Sequence, residues 1–396
     1  MVQSNYKNKQ TNYTVRSKLP NIGTSIFTVM TEMANKHNAL NLSQGFPDFN
    51  PPKRLIDLVA KNMRKGLNQY APMPGVMKLR EKISEKTEAL YGHSYNPETE
   101  ITITSGATEA IYSSISAFVQ EGDEVIIFEP AYDSYAPVIR AIGGSPIYVA
   151  AKLPDYKIDW DEVNKIVNAR TRMIIINTPH NPTGSMLSAE GMEKLSKLVA
   201  GTKIMIISDE VYEHIIFDGE EHQSIVKYPE LIDRSIVISS FGKTYHATGW
   251  KVGYCQAPDH ITKEIRKIHQ FNVFSVNTPV QYALADFITE KEEYLGLGSF
   301  YQKQRDEFID LIKDTKFKFS PSKGTYFQLL NYSEISDEKD TDFANRLITE
   351  FGIASVPVSA FYHDAFDAKV LRFCFAKSSE TLKKAAELLH KVSNSA

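Results

Sequence analysis

Cysteine is scarce in this sequence, with only Cys255 and Cys374 among 396 residues. Two cysteines cannot build the disulfide framework that small extracellular scaffolds depend on. The scarcity favours a reducing compartment, and we expect a cytoplasmic protein.

An excess of charge of either sign is also missing. The chain carries 45 Lys and Arg against 48 Asp and Glu, a formal net charge of -3. Bulk charge therefore gives no reason to expect nucleic acid or an anionic membrane as a partner. No apolar run is long enough to span a bilayer. The first twenty residues are polar and lack acidic side chains, which predicts a flexible arm and, less well, a weak transit peptide.

Two common cofactor signatures are absent as well. No GxGxxG motif follows the first predicted strand, which argues against a dinucleotide enzyme. Histidines such as His180 and His214 have no second ligand at a metal-binding interval, so we expect solvated or core histidines and no metal.

The middle of the chain contains short apolar runs separated by longer amphipathic stretches. The runs are "ITIT", "EVIIF", "RMIIINTP", "KIMIISDE" and "SIVISSFGK". Runs of Ile, Val and Met without strict alternation are typical of strands buried on both faces, and helices between them predict a mostly parallel sheet. The fold class is therefore α/β. From about residue 290 long helical patterns take over and predict a smaller domain, giving predicted units of residues 1–45, 46–290 and 291–396.

Polar residues follow three of the predicted strands. Asn181 comes after "MIIIN", Asp209 after "IMIIS", and Ser240 and Lys243 after "SIVIS". Ligands of open parallel sheets lie beyond the carboxyl ends of the strands, so these side chains are expected to form one site. A lysine and a carboxylate there are either a structural ion pair or the Schiff-base lysine and ring-nitrogen partner of pyridoxal phosphate.

A phosphate site would have to accompany the second interpretation. The segment "TSGATEA" follows the strand "ITIT" and opens a predicted helix, whose first N–H groups are free. Gly106 allows a close approach and Thr108 offers a hydroxyl. With Ser240 and the cation of Lys251, this segment predicts a phosphate cradle.

Several separated motifs resemble one known family. The segments "SFGKTYHATGWKVGY", "NTPHNPTG", "SDEVY" and "NLSQGFPDFNPP" are similar to the class I aminotransferases of pyridoxal phosphate fold type I. The opening "KLPNIGTSIFTVMTEMANKHNALNLSQGFPDF", with "EPAYDSYAP" and "QYAPMPG", resembles the methionine aminotransferase and kynurenine aminotransferase branch. The resemblance covers the chain from about residue 18 to its end. It implies a seven-stranded, mostly parallel sheet between helices and a smaller α+β C-terminal domain.

The resemblance also implies a role for each matching residue near the cofactor ring. Lys243 matches the Schiff-base lysine that later moves the substrate proton, and Asp209 matches the partner of the ring nitrogen. Tyr212 and Asn181 match the donors to the phenolic oxygen, and Tyr132 matches the aromatic stacked on the ring.

The phosphate and the substrate have matching residues too. The implied phosphate contacts are Gly106, Ala107, Thr108, Ser240 and Lys251. Tyr70 matches a tyrosine that reaches the phosphate in a neighbouring subunit, which implies a homodimer with its site at the subunit interface. Arg372, with Asn181 and the backbone of Gly45, matches the binding site of the substrate carboxylate.

The implied reaction is a ping-pong transfer of an amino group to a 2-oxo acid. Phe46, Tyr70, Tyr132 and Phe274 favour methionine or aromatic donors, and no second arginine in these motifs suits an aspartate side chain. One alternative is a kynurenine–oxo-acid aminotransferase with cysteine S-conjugate β-lyase activity. Another is the ligand-sensing half of a transcription regulator, although only about forty residues precede Gly45 and leave little room for a DNA-binding domain.

Overall fold

The computed structural model describes residues 15–395. The flexible arm expected at the N-terminus falls largely on residues 1–14, outside the described residues. Within residues 15–395, no helix combines the length and the apolar character that crossing a membrane requires.

The strands form one large sheet and two small ones. In chain order they are β1 (Leu40–Asn41), β2 (Ile101–Thr104), β3 (Glu124–Glu129), β4 (Ser145–Ala150), β5 (Thr171–Asn177), β6 (Met205–Asp209), β7 (Ser235–Ser240), β8 (Gly253–Gln256), β9 (Phe327–Asn331), β10 (Ile353–Ala354), β11 (Val356–Pro357) and β12 (Val370–Cys374).

Helices surround these sheets. In chain order they are α1 (Ile26–His37), α2 (Lys53–Arg64), α3 (Met77–Tyr91), α4 (Gly106–Phe118), α5 (Tyr135–Ile142), α6 (Trp160–Ile166), α7 (Ala189–Val199), α8 (Pro229–Ile232), α9 (Phe241–Thr244), α10 (Asp259–Asn272), α11 (Thr278–Phe287), α12 (Glu292–Leu295), α13 (Leu297–Ile312), α14 (Asp340–Phe351) and α15 (Ser379–Asn394).

The large sheet has seven strands in the order β2-β8-β7-β6-β5-β3-β4. The pairs from β7 to β4 are parallel, whereas β8 runs antiparallel to both of its neighbours. This confirms the predicted mostly parallel seven-stranded sheet. The parallel register places the carboxyl ends of β5, β6 and β7 side by side.

Both faces of this sheet are buried, which explains the unalternating apolar runs. Ile174 and Ile206 pack into a core on one face with helices such as α3, α7 and α11. Their neighbours Ile175 and Ile207 pack into a second core on the other face with α4, α5 and α10. Because β5 and β6 are covered on both sides, apolar side chains are favoured on both of their faces.

The C-terminal part of the chain builds a separate core around a three-stranded antiparallel sheet, in the order β11-β12-β9. Phe308 of α13, Phe343 of α14 and Leu389 of α15 are buried in it. Met30 of α1 joins the same core, and β1 pairs in parallel with β10. The domain boundaries given above stay predictions.

Candidate active site

The carboxyl ends of β5, β6 and β7 open onto a cavity of about 170 Å³. Asn177 ends β5, and its register partner Asp209 ends β6. The structure brings together around this cavity the predicted residues Gly106, Ala107, Thr108, Tyr132, Asn181, Asp209, Tyr212, Ser240, Lys243 and Lys251. The polar residues that follow the three strands therefore line one cavity.

Lys243 lies in the short helix α9, directly after β7. Its Nζ donates hydrogen bonds to the carbonyl oxygen of Gly45 at 2.9 Å and to the phenolic oxygen of Tyr326 at 2.8 Å. Burial lowers the pKa of this amine to about 8, with the positive charges of Arg372 and Lys251 acting in the same direction. About a tenth of the amine is therefore neutral at pH 7 and about half at pH 8, and a nucleophile or base requires this neutral form.

Asp209 is a buried carboxylate at the end of β6, with 4% of its surface exposed. Its Oδ2 accepts a hydrogen bond from the Tyr135 hydroxyl at 2.6 Å. Asn177 Nδ2 donates to the backbone carbonyl of Asp209 at 2.8 Å. Burial raises the pKa of this carboxyl to about 6, and the Tyr135 hydrogen bond opposes the rise. Such a carboxylate is suited to a cationic partner inside the cavity.

The opposite wall begins at the N-terminus of α4. Ser105 makes no side-chain cap here, so the first N–H groups of the helix have no capping partner from that residue. Gly106 has φ +72°, and a Cβ at this position would lie 3.3 Å from Nζ of Lys251. A Cβ on Gly253 would meet the Ala107 nitrogen at 2.9 Å. Backbone and lysine amine thus form a crowded, electropositive cradle of the kind that binds phosphate.

Arg372 lies beside the cavity on β12, with 1% of its surface exposed. It donates to the side-chain oxygen of Asn181 at 2.6 Å and to the carbonyl of Ser43 at 3.1 Å. Its guanidinium lies 3.8 Å from the ring centre of Phe327. Burial lowers the pKa to about 10. Its hydrogen-bond partners among residues 15–395 are neutral and its Nε is unpartnered, so this buried cation has donor capacity left for a carboxylate.

Three other predicted residues, Gly45, Phe46 and Tyr70, do not line the cavity. Gly45 presents its carbonyl to Lys243, and a Cβ on this glycine would come within 2.9 Å of the Phe327 ring. Tyr70 is 83% exposed and meets the ring of Phe274 edge on at 5.5 Å. A single chain therefore does not bring Tyr70 to its own cavity. Phe46 is also exposed, at 44%.

The two histidines set aside above are partly buried and neutral. Burial lowers the pKa of His180 to about 4 and that of His214 to about 3. No group of three metal-binding side chains occurs among residues 15–395.

Sequence reasoning missed three residues that complete the site. Asn177 is the last residue of the quoted run "MIIIN", so the strand-end argument could have found it. Tyr135 lies in "EPAYDSYAP", three residues after Tyr132. Tyr326 gives no local signal, because its contact with Lys243 spans 83 positions and depends on the packing of β9.

A comparison with protein families matches residues 37–389 to the model described as "Aminotransferase class I and II". The chain belongs to this family and is an aminotransferase of the fold type I class. The Escherichia coli methionine aminotransferase is 48% identical over 378 residues, which cover 95% of this chain and 98% of that protein. The Dictyostelium discoideum kynurenine–oxoglutarate transaminase is 36% identical over 410 residues, covering 93% and 94%. A solved Escherichia coli structure with a reported methionine aminotransferase function has a TM-score of 0.94 at 48% identity, covering 96% and 100% of the two chains.

Proposed function

We propose that this aminotransferase uses pyridoxal phosphate and takes amino groups from methionine or aromatic amino acids. The observation that carries the proposal is the shared cavity, in which the Lys243 amine, the Asp209 carboxylate and the N-terminus of α4 converge. When bound, the cofactor supplies an aldehyde for the amine and a ring that accepts electron density from the substrate Cα.

Lys243 and Asp209 have complementary roles in this proposal. With the cofactor present, the neutral Lys243 amine would hold it through its aldehyde, and the free amine would later take the proton from the substrate Cα. Its pKa of about 8 supports both roles. Asp209 would hold the protonated ring nitrogen, and such a cation would offset the burial that raises the pKa of the carboxyl to about 6.

The other cavity residues orient the ring. Tyr212 and Asn181 donate to its phenolic oxygen, and burial holds the pKa of Tyr212 well above 10, so the hydroxyl keeps its proton. Tyr132 covers one ring face; burial raises its pKa to about 12. The proposed phosphate contacts are Gly106, Ala107, Thr108, Ser240 and Lys251.

Arg372 is the proposed partner of the substrate carboxylate, with Asn181 and the backbone around Gly45 beside it. Its neutral hydrogen-bond partners and unpaired Nε support this role. Phe27 and Phe361 also lie near the guanidinium, with ring centres 5.1 Å and 5.3 Å away. Apolar rings at this position favour an uncharged donor side chain.

We also propose that the active unit is a homodimer. Tyr70 is 83% exposed, Phe271 is 88% exposed and Phe274 is 47% exposed in the single chain. Exposed aromatic side chains close to one another are typical of protein interfaces. In this arrangement Tyr70 reaches the phosphate site of the partner subunit. A cytoplasmic location stays a prediction from the cysteine content.

The choice of donor is tested with a panel of amino acids. Methionine, phenylalanine, kynurenine and aspartate are each supplied with one 2-oxo acid, and kcat/KM is measured for each. We expect methionine or an aromatic donor to exceed aspartate by about 100-fold, since the rings of Phe27 and Phe361 beside Arg372 carry no charge that could pair with a second carboxylate. Aspartate as the best donor would refute the donor class. Kynurenine as the best donor, with pyruvate release from a cysteine S-conjugate, would favour the alternative of a kynurenine–oxo-acid aminotransferase with β-lyase activity; the name of the Dictyostelium relative agrees with the kynurenine part alone.

A lysine variant tests the catalytic assignment. Lys243→Ala is expected to lose measurable turnover, because the amine proposed to bond the aldehyde and to move the substrate proton is removed. Lys263→Ala changes an exposed lysine of α10 that pairs with Asp259, and is the matched control. Near-full activity in Lys243→Ala would refute the mechanism.

A further inference from the structure

Tyr326 is a buried tyrosine without an assigned role, and it touches the amine of Lys243. Its side chain has no exposed surface, and it immediately precedes β9. The backbone carbonyl of Tyr326 accepts a hydrogen bond from the Phe375 nitrogen at 3.0 Å. The residue is therefore fixed by the C-terminal core, whereas Lys243 belongs to the large sheet.

The hydroxyl of Tyr326 lies between the Lys243 amine and the Gly45 carbonyl, with Tyr212 also beside it. It donates its single proton to the Gly45 carbonyl at 2.5 Å, so a lone pair is left for the Lys243 amine at 2.8 Å. Burial raises the pKa of this phenol well above 10, so the proton stays on the oxygen. Gly45 accepts from both residues, and the three groups form a closed triangle.

We propose that Tyr326 is a positioning residue for the amino transfer, which holds the Lys243 amine between its hydroxyl and the Gly45 carbonyl. The proposal rests on the function proposed above. In the enzyme with bound cofactor, the substrate amine displaces the Lys243 amine, and the Tyr326 hydroxyl then accepts a hydrogen bond from the freed Lys243 amine. The amine is then kept within the cavity and oriented toward the substrate Cα.

The two acceptors also affect the charge of the amine. Each favours the ammonium form and so opposes the burial that lowers the pKa of Lys243 to about 8. The other groups that influence this amine are Arg372, Lys251, Asp209, Cys374 and Tyr212. All five side chains are retained in Tyr326→Phe, although Tyr212 and Arg372 also interact with this hydroxyl. Of the groups around the amine, only the Tyr326 hydroxyl is removed, so a fall in the Lys243 pKa of this variant is the expected sign of the lost acceptor.

The test is Tyr326→Phe, with Tyr301→Phe as the matched control. Tyr301 is equally buried and its ring lies 5.6 Å from that of Tyr326, but its hydroxyl bonds Nδ1 of His246 instead of Lys243. The apoprotein of each variant is labelled with acetic anhydride over a range of pH. Mass spectrometry of the peptide that contains Lys243 then gives the pKa of this amine without the cofactor.

We expect Tyr326→Phe to lower the Lys243 pKa by about one unit, because a hydrogen bond to a charged group is lost. In the loaded enzyme kcat should fall roughly tenfold with little change in KM, and the acidic limb of its pH profile should move to lower pH. Tyr301→Phe should leave the Lys243 pKa and both kinetic constants unchanged.

An unchanged Lys243 pKa in Tyr326→Phe would overturn the proposal, and so would an equal change in Tyr301→Phe. If Tyr326→Phe does not fold, 4-fluorophenylalanine at position 326 keeps the ring and fills the place of the hydroxyl with a poor hydrogen-bond acceptor; a lowered pKa would then support the proposal and an unchanged one would overturn it. Failure of the proposed function is a separate result. It would appear as no amino transfer by the unaltered protein, whereas the labelling of the apoprotein still decides whether Tyr326 holds the amine.

Discussion

Asp209→Asn should stabilise the apoprotein while it damages the holoenzyme. Burial raises the pKa of Asp209 from its ordinary 3.8 to about 6. Between these two values the folded protein binds more protons at this group than the unfolded chain does. The free energy of unfolding therefore falls as the pH rises from about 4 to about 6, and above pH 6 the whole contribution of Asp209 has been lost.

The size of the effect follows from the same two values. A difference of about two pH units corresponds to roughly 3 kcal/mol, at about 1.4 kcal/mol per unit. Asparagine has nearly the same shape and no charge, and its Oδ1 can still accept the Tyr135 hydroxyl. We therefore expect a free energy of unfolding about 2 kcal/mol higher in the variant apoprotein near pH 8, and no gain at about pH 4 or below.

The assay is urea unfolding of both apoproteins across this pH range, in a buffer without phosphate so that the cradle around Gly106 stays free. The control is Asp310→Asn, which changes an aspartate of α13 whose side chain is 72% exposed. Cofactor affinity of Asp209→Asn should fall, because the ring nitrogen loses its carboxylate. A variant that is less stable near pH 8, or one whose difference from the parent does not depend on pH, would refute the reasoning.

Three further substitutions follow from contacts near the site. Glu213→Gln leaves the buried Lys86 ammonium, 2.7 Å away, without its carboxylate, and should cost about 3–5 kcal/mol in urea unfolding; a loss below about 1 kcal/mol would contradict this. Arg372→Lys should raise KM for the amino acid and for the oxo acid together, by about tenfold or more, because both carboxylates lose the bidentate fork; a rise for one substrate alone would count against a shared site. Gly253→Ala places a Cβ 2.7 Å from the Ser239 carbonyl oxygen and 2.9 Å from the Ala107 nitrogen of the phosphate cradle. It should therefore weaken cofactor binding in a fluorescence titration. The control Gly249→Ala, whose Cβ would have no atom within 4 Å, should not.

The sheet and the residues around Lys243 and Asp209 could be predicted from the sequence because both follow from the order of apolar and polar residues within short segments. Buried strands such as β5 and β6 appear as apolar runs, and polar residues at their carboxyl ends must meet at one edge of a parallel sheet. Asp209 and Lys243 were found in this way. The resemblance to a family then added Tyr132 and Arg372, which no strand-end argument would have selected.

Contacts between distant segments were not accessible in this way. Tyr326 reaches Lys243 only because β9 packs against the loop around Gly45, a tertiary arrangement that no short window of sequence encodes. Tyr135 could be read as an ordinary helix residue, since its bond to Asp209 spans 74 positions. Tyr70 differs again: its expected role needs a second subunit, and a single chain leaves that prediction open.

The absorption spectrum of the purified protein with pyridoxal phosphate tests the central claim most directly. We expect a visible band from the cofactor bonded to Lys243. Methionine added without an oxo acid should replace this band by that of the amine form of the cofactor, and a 2-oxo acid should then restore it. Lys243→Ala should lack the band of the lysine-bonded cofactor. Absence of that band in the unaltered protein, or a band that no amino acid changes, would contradict the account.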